Sequence, residues 1–351
     1  MNKKNSILKK HRYRFFFKDI AVDLGTNSTQ IYLRRKGLVV EEPSVIAFDL
    51  ARKKIIAIGK EAKRMIGKTP QRIRTVKPLQ DGVVADFETT KQMLIYFFRK
   101  AGVYSSLFRL RAIITVPFGT TQIEKRAVVD AGRAAGAKEI YLIEEPLAAA
   151  IGANINVEEP QGNLIINIGG GATEIAVISL GGIARGESLR FGGNDLNTYI
   201  QRYIRNHYRL EIGESTAEQV KKEAVYALDP PKGRIQPVSG INLRSGLPES
   251  ITIPVEELSA AIKPMLETLS VAIKKTFEQV SPQLASDIIQ SGIFLTGGGA
   301  MLKKIGLFLQ KKMLIPVHIA QDPTTCAVRG ASKALEELHA MRHLELYHSR
   351  N

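Results

Sequence analysis

The chain has 351 residues, of which 44% are hydrophobic and 24% charged, and its 50 Lys and Arg against 34 Asp and Glu give a formal net charge of +16. This length and composition predict a globular protein of two or three domains. The single cysteine, Cys326, excludes an internal disulfide and fits a reducing compartment, and no stretch approaches the roughly 20 apolar residues that cross a bilayer. We therefore expect a cytoplasmic protein.

Residues 1–18 form a strongly basic arm, "MNKKNSILKKHRYRFFFK". Its apolar run, 15–17, is too short for a signal peptide. Such an arm is able to bind an anionic membrane leaflet, where each Lys or Arg contributes about 1 kcal/mol, or the phosphates of nucleic acid. A solvated tail that leads into the first strand is the third interpretation, and composition leaves all three open.

The first predicted element pair spans residues 20–33, "IAVDLGTNSTQIYL", where two apolar strands flank a turn of Gly, Ser and Thr. Helices are predicted at 60–71 and 89–101. The "IGKT" within the first of these is not a phosphate-binding P-loop, because Ala62 stands where that motif requires glycine.

Strands and helices then alternate, which predicts an α/β architecture. A buried strand at 112–116 precedes a helix that Thr121 and Glu124 start as a capping box and that Gly136 ends. After a strand at 139–143, Glu144 and Glu145 stand at the start of another helix. Carboxylates held there are able to orient an attacking water, or simply to cap the helix.

Two further glycine clusters follow apolar strands. Residues 166–179, "INIGGGATEIAVIS", form a second strand-turn-strand pattern, and 293–302, "IFLTGGGAML", predicts strand, turn and a helix over 301–309. Glycine lets several backbone N–H groups approach one phosphate closely. In the first turn Asp23 is able to hold Mg²⁺ through water. Two such hairpins and a third glycine turn together predict a nucleotide clamp.

The remaining segments predict less. Residues 229–250 are rich in Pro, Gly and Ser and indicate a loop with short strands. The apolar stripe over 256–280 indicates a helix that Pro264 kinks or splits. A last helix is expected over about 325–345.

The order of motifs along nearly the whole chain closely resembles MreB, the bacterial actin homologue. It runs DLGTNST, EEPSVIAF, DGVVADF, VPFGTTQIEKRA, LIEEPLAAAIGA, NIGGGATEIAVISLGGI, GESTAEQVKKE and GIFLTGGGAMLKKI. The resemblance implies an α/β, actin-like fold, with two duplicated RNase H-like domains and a nucleotide cleft for ATP and Mg²⁺ between them. Expected domains are 19–153 plus 323–351, with a small subdomain at about 46–88, and 154–322, with one at about 197–259.

The resemblance also implies the role of individual residues. Phosphate-binding residues are expected at Asp23, Gly25, Thr26, Asn27, Thr29, Asn167, Gly169, Gly170 and Gly171, and adenosine-binding residues at Lys221, Glu223, Gly297, Gly298, Gly299 and Met301. Lys222 competes with Lys221 for its role. Glu145, with Glu144, is expected to place the hydrolytic water. Leu107 and Phe108 match a membrane-inserting loop, which Arg109 and Arg111 suit as cationic anchors; an ordinary buried pair is the alternative.

Two positions depart from the family pattern, which usually has Asp at position 167 and Thr at 172. Asn167 brings no charge and Ala172 no hydroxyl, so we expect nucleotide binding to survive better than turnover.

The resemblance implies homopolymeric filaments, on the inner face of the cytoplasmic membrane, that work with cell-wall elongation proteins in wall synthesis and cell shape. We expect a weak ATPase at most and no nucleic-acid partner. A DNA-segregating actin-like filament remains an alternative, since +16 suits DNA as well as lipid. An Hsp70-like ATPase module is the other, although we find no substrate-binding domain beside it.

Overall fold

A computed structural model describes residues 17–104, 108–336 and 347–349. It divides the chain into two compact units: the first unit is Met1–Asn154 with Ala327–Asn351, and the second unit is Ile155–Cys326. The sequence predicts these boundaries after residues 153 and 322. The later boundary falls at 326 because the short 3-10 helix Pro323–Thr325 belongs to the second unit, where the Pro323 carbonyl accepts the Gly297 N–H at 2.8 Å.

The described residues contain strands and helices in the alternation that the sequence predicts. The strands are β1 Phe17–Leu24, β2 Ser28–Leu33, β3 Gly37–Pro43, β4 Ile46–Asp49, β5 Lys54–Ile58, β6 Ile73–Val76, β7 Leu79–Gln80, β8 Val83–Val84, β9 Arg109–Val116, β10 Ala137–Glu144, β11 Asn163–Ile168, β12 Thr173–Ser179, β13 Gly182–Leu189, β14 Leu210–Glu211, β15 Ile235–Asn242, β16 Pro248–Pro254, β17 Ile293–Thr296, β18 Val317–Ile319 and β19 Tyr347–Ser349. The helices are α1 Lys60–Met65, α2 Phe87–Lys100, α3 Gln122–Ala134, α4 Glu145–Gly152, α5 Gly193–Tyr208, α6 Glu214–Ala224, α7 Val255–Ala260, α8 Lys263–Glu278, α9 Pro282–Ser291, α10 Ile305–Met313 and α11 Cys326–Glu336.

The main sheet of the first unit has the order β19-β10-β9-β1-β2-β3. Strands β1, β2 and β3 pair antiparallel in succession, whereas β9 pairs parallel with both β1 and β10. Its core is formed by apolar residues of these strands and of α2 and α3, with Phe97 and Phe98 fully buried. Because β1, β9 and β10 are parallel, their carboxyl ends lie at one edge of the sheet.

The main sheet of the second unit repeats this plan in the order β13-β12-β11-β17-β18. Here β11, β12 and β13 are antiparallel neighbours, and β17 pairs parallel with β11 and β18. Strand β11 therefore corresponds to β1, and β17 corresponds to β9. A separate apolar core lies around these strands. The two duplicated α/β halves that the sequence predicts are confirmed.

Each unit also carries a smaller sheet, inserted after its third main strand. In the first unit β5, β4 and β6 form it, and α1 packs on it through a small core that includes Ala47, Ala57 and Ala62. In the second unit β14, β15 and β16 form it. Residues 229–250, predicted as loop with short strands, contain most of a regular hairpin: seven pairs join β15 and β16.

Other element boundaries differ from the sequence-based expectation. Helix α1 ends at Met65, not at 71, and α10 begins at Ile305, because residues 298–301 form a 3-10 turn first. Pro264 splits the apolar stripe into α7 and α8, as predicted. Helix α11 is described to Glu336, and the remainder of the predicted last helix lies outside the described residues. Over the described ranges, none of the helices combines the length and the apolar character that bilayer crossing requires.

Candidate functional site: two equivalent turns

The turn between β1 and β2 is closed by its own backbone. The Gly25 N–H donates to the Ser28 carbonyl at 3.2 Å, and a Cβ atom on Gly25 would lie 2.9 Å from that same oxygen. Glycine is therefore required for this close approach. Within the described part of the chain, the N–H groups of Thr26 and Asn27, at the tip of the turn, donate to no other group.

Hydroxyl groups hold this turn from beneath. The Ser44 hydroxyl donates to the Gly25 carbonyl at 2.6 Å, and the Thr29 and Ser44 hydroxyls are 2.9 Å apart. Ser44 has one hydroxyl hydrogen, so Thr29 is the donor between them. Both side chains are fully buried. Thr29 is a predicted phosphate-binding residue. In the structure its hydroxyl donates to Ser44, which in turn holds the Gly25 carbonyl of the turn.

The Thr26 side chain is also part of that support. Its oxygen accepts the N–H of Gly82 at 2.8 Å. Gly82 has φ +79°, and a Cβ atom on it would lie 2.4 Å from Cγ of Pro117. The sequence predicts no role for Ser44, Gly82 or Pro117, because their contacts join segments that are far apart in the chain.

Asp23 lies at the carboxyl edge of the first sheet. The Thr115 hydroxyl on β9 donates to Asp23 Oδ1 at 2.7 Å. Burial raises the pKa of Asp23 from 3.8 to about 6, against the opposing effect of the Thr115 hydrogen bond. The second carboxylate oxygen remains an acceptor of the kind that water molecules around Mg²⁺ require. Among the described residues, no cluster of three or more His, Cys, Asp or Glu forms a ready-made metal site.

Glu144 ends β10 at this same edge of the sheet. It pairs in register with Val116 of β9, directly beyond the row that holds Thr115. It occupies the position before α4, but its side chain makes no capping hydrogen bond to that helix. Glu145 is the first residue of α4, and both side chains are partly buried. The structure therefore brings Asp23 and the two glutamates to the ends of adjoining parallel strands.

The turn between β11 and β12 has the same closing hydrogen bond as the first turn. The Gly169 N–H donates to the Ala172 carbonyl at 2.8 Å, and a Cβ atom on Gly169 would lie 3.0 Å from that oxygen. Gly170 and Gly171 correspond to Thr26 and Asn27, and their N–H groups likewise donate to nothing within the described ranges. Consecutive N–H groups of this kind form an anion-binding site.

The start of α5 fixes the second turn from behind. The N–H groups of Gly193 and Asn194 donate to the carbonyls of Gly169 and Gly170 at 3.0 and 2.8 Å. Gly192 approaches so closely that a Cβ atom on it would lie 2.7 Å from the Gly169 carbonyl oxygen. These contacts occupy the carbonyl side of the turn, so its N–H side is left for a ligand.

Helix α6 directs its two lysines to different partners. Lys221 Nζ donates to the Gly193 carbonyl at 2.7 Å and so lies next to the glycine turn. Lys222 instead pairs with Glu218 at 2.7 Å on an exposed face. Glu223 lies elsewhere on the helix, where its carboxylate accepts hydrogen bonds from Gln219 and Gln236. The predicted adenosine-binding pair therefore occupies two different positions.

The third glycine turn packs against the end of β11. Cβ atoms on Gly297, which has φ +79°, and on Gly299 would lie 2.4 and 2.1 Å from atoms of Ile168. A Cβ atom on Gly298 would meet nothing within 4 Å, and Met301 is 65% exposed. The turn thus has an open backbone edge at Gly298 beside the exposed apolar side chain of Met301.

Asn167 is equivalent to Asp23 and is buried. Its Oδ1 accepts the Thr296 hydroxyl at 3.1 Å, just as Asp23 accepts that of Thr115. Asn167 and Thr296 are direct partners in the parallel pairing of β11 and β17. The amide therefore belongs to the hydrogen-bonded support of its turn.

The predicted membrane loop is described only in part. Leu107 lies outside the described residues, and Phe108 is 45% exposed. The expectation that Arg111 is a cationic anchor is wrong. Its guanidinium makes two 2.8 Å hydrogen bonds to Asp19 and lies over the Phe17 ring, so it is committed to the first sheet.

Comparisons with known proteins agree with this architecture. A family model described as MreB/Mbl protein matches residues 17–343. The cell shape-determining protein MreB of Haemophilus influenzae is 44% identical over 330 residues, which cover 92% of this chain and 93% of that protein. The crystal structure of MreB 5 of Spiroplasma citri bound to AMPPNP has a TM-score of 0.88 at 34% identity, covering 92% of this chain and 97% of its own. A MamK double helical filament shares the fold, with a TM-score of 0.79 at 21% identity and coverage of 92% and 99%.

The duplicated sheets and their paired turns define an actin-like fold. The chain belongs to the MreB/Mbl family.

Proposed function

We propose that this chain is an ATP-binding cytoskeletal protein that forms filaments and acts in determining cell shape. The observation that carries this proposal is the pair of equivalent turns, each with two consecutive N–H groups that donate to nothing within the described residues. Such donors suit the oxygens of a polyphosphate. The relatives that are named for cell-shape determination and for bound AMPPNP support the same conclusion.

In this proposal the residues around the turns have separate roles in binding the phosphates, the Mg²⁺ ion and the adenosine. The N–H groups of Thr26, Asn27, Gly170 and Gly171 bind phosphate oxygens, and Lys221 adds positive charge near the second turn. Asp23 would hold Mg²⁺ through water, and this ion would supply charge compensation for the phosphates. The edge formed by Gly297, Gly298, Gly299 and Met301, with Glu223, serves the adenosine.

Glu145 is the proposed catalytic residue, with Glu144 beside it. Each carboxylate stands at the beginning of α4, where the helix dipole favours the ionised form, and is able to orient water. Hydrolysis is slow in this proposal because Asn167 supplies no charge and Ala172 no hydroxyl. A missing polar group at a reacting centre costs on the order of 10² to 10³ in rate.

Phosphate release tests the proposed slow hydrolysis, and sedimentation tests the proposed filament formation. Wild type should pellet with ATP but release phosphate slowly, and Asn167→Asp combined with Ala172→Thr should release it at least about tenfold faster. Glu145→Gln in that double variant should remove the gain. If wild type already hydrolyses ATP as fast as the double variant, slow turnover is refuted; if it never pellets, filament formation is.

We further propose that the filaments lie on the inner face of the cytoplasmic membrane and organise cell-wall synthesis. The net charge of +16 and the exposed Phe108 support contact with an anionic membrane. DNA is the alternative anionic partner. Co-sedimentation with anionic vesicles and with DNA, each at several salt concentrations, should show vesicle binding that Phe108→Ser or deletion of residues 1–16, which leaves β1 intact, weakens; binding to DNA alone would overturn the membrane assignment.

A further inference from the structure

A row of polar side chains crosses the first sheet just below its glycine turn. Asp23 of β1 is paired with Gln30 of β2, and Gln30 is paired with Glu41 of β3. Thr115 of β9 extends the row, because its hydroxyl donates to Asp23 Oδ1. Directly paired residues of antiparallel strands have their side chains on the same face, with Cβ atoms roughly 4.5 to 5.5 Å apart. The row therefore lies on the face opposite to Ile31 and the apolar core.

Gln30 has an unmatched acceptor within this row. Its Nε2 donates to Glu41 Oε1 at 3.3 Å, and this contact orients the amide, because an amide oxygen in the same place would face the carboxylate. The other end of the amide, Oε1, is turned away from Glu41, is buried, and accepts no hydrogen bond from the described residues. Gln30 is only 2% exposed. A buried oxygen without a donor destabilises the free protein, so an apolar side chain would serve the fold better here.

The next residue in the row indicates what this oxygen binds. On the side of β1 it is Asp23, whose second carboxylate oxygen is also an acceptor, and no described lysine or arginine contacts Asp23 or Gln30. With Asp23 ionised, the two acceptors are unable to hydrogen-bond to each other and need a group that donates in two directions. Water is such a group, and a cation polarises its bound water into a stronger donor. Because Mg²⁺ keeps several waters in protein sites, the buried oxygen fits the hydrated ion that Asp23 would hold.

We propose that Gln30 is a further residue of the Mg²⁺ site and that its Oε1 accepts a hydrogen bond from a metal-bound water beside Asp23. Glu41 is a positioning residue, since it acts through the Nε2 contact that turns Oε1 away from β3. The inference rests on the proposed binding of ATP with Mg²⁺ and adds two residues to it. Because the amide carries no charge, Gln30 strengthens nucleotide binding only when the metal ion is present.

The experiment compares the Kd of ATP in saturating Mg²⁺ with that in EDTA for purified full-length variants. Gln30→Leu removes the acceptor at similar volume, so the Kd in Mg²⁺ should rise about 5- to 20-fold while the Kd in EDTA changes by less than about twofold. Gln71→Leu, the same change at an exposed position, is the control and should leave both Kd values as in wild type.

Thermal melts without nucleotide and metal separate this role from a purely structural one. Gln30→Leu should melt at or above the temperature of wild type, because it has no unmatched buried oxygen and leaves the exposed Glu41 to water. A lower melting temperature together with an unchanged Kd in Mg²⁺ would assign Gln30 to the fold alone and refute the inference.

Variants of Glu41 test the positioning role. Glu41→Leu removes the acceptor of Nε2, so the Kd in Mg²⁺ should rise about 2- to 5-fold, and Glu41→Gln, which accepts the same hydrogen bond, should restore the wild-type value. Equal Kd values for these two variants would refute the positioning role. The inference as a whole is refuted if Gln30→Leu binds ATP in Mg²⁺ as tightly as wild type, or if it weakens binding equally in Mg²⁺ and in EDTA. Absence of ATP binding by wild type in Mg²⁺ would instead refute the proposed function.

Discussion

Replacing Asp23 by asparagine should change how the stability of the protein depends on pH. Burial raises the pKa of this carboxyl from 3.8 to about 6. A raised carboxyl pKa means that the folded state holds the proton more tightly than the unfolded state. Stability is therefore highest below pH 3.8 on account of this group and falls as pH rises toward 6 and beyond. Asparagine has no such titration and still accepts the Thr115 hydroxyl.

The size of the effect follows from the shift. Roughly two pKa units correspond to about 3 kcal/mol in full, of which about 2 kcal/mol falls between about pH 4.5 and 7.5. Wild type should thus lose about 2 kcal/mol more than Asp23→Asn across this interval. Taking the difference between the two proteins cancels the titration of the groups that do not interact with Asp23.

Urea unfolding at several pH values, without nucleotide and with EDTA, measures this difference. Asp81→Asn is the matched control, because Asp81 is exposed and its φ of +49° is one that asparagine tolerates. The control should follow wild type at every pH. Parallel stability curves for wild type and Asp23→Asn would show that burial does not raise the pKa of this carboxyl.

Two further substitutions test the framework of the site. Asp19→Asn should lower stability by about 3 kcal/mol, measured by urea unfolding, because it leaves the Arg111 guanidinium partly buried beside a neutral partner; a loss under about 1 kcal/mol would contradict this. Gly299→Ala should destabilise the second unit and weaken nucleotide binding, because the added Cβ would meet Ile168. Gly298→Ala is the control and should have the stability of wild type, because a Cβ there would meet nothing within 4 Å. Equal melting temperatures for the two variants would refute the packing argument.

Local sequence patterns predicted the strands that flank the first two glycine turns, the strands β9, β10 and β17, and the starts of α1 to α4 to within about two residues. Helices α5 and α9 were not predicted. The capping box at Thr121 and Glu124 forms as expected, because it depends on residues three apart. The end of α1 and the start of α10 were predicted less well. There, apolar spacing continues past the point at which the backbone leaves the helix, at Ile66 and at Lys304 with its φ of +60°.

The site shows the same division between local and long-range information. Glycine in a turn is visible in a sequence, and so Gly25 and Gly169 were predicted to form turns. The supports are not visible, because Ser44 reaches Gly25 across 19 positions and Thr296 reaches Asn167 across 129. Arg111 was misassigned for the same reason: its partner Asp19 is 92 positions away.

Titration with ATP, ADP and adenosine in the presence of Mg²⁺ tests the central claim most directly, because that claim places phosphate recognition in the N–H groups of two equivalent turns. ATP and ADP should bind at least about a hundredfold more tightly than adenosine, since each charge-assisted hydrogen bond contributes about 1.5 to 3 kcal/mol. Equal affinities for ATP and adenosine, or no measurable binding of ATP, would contradict the account.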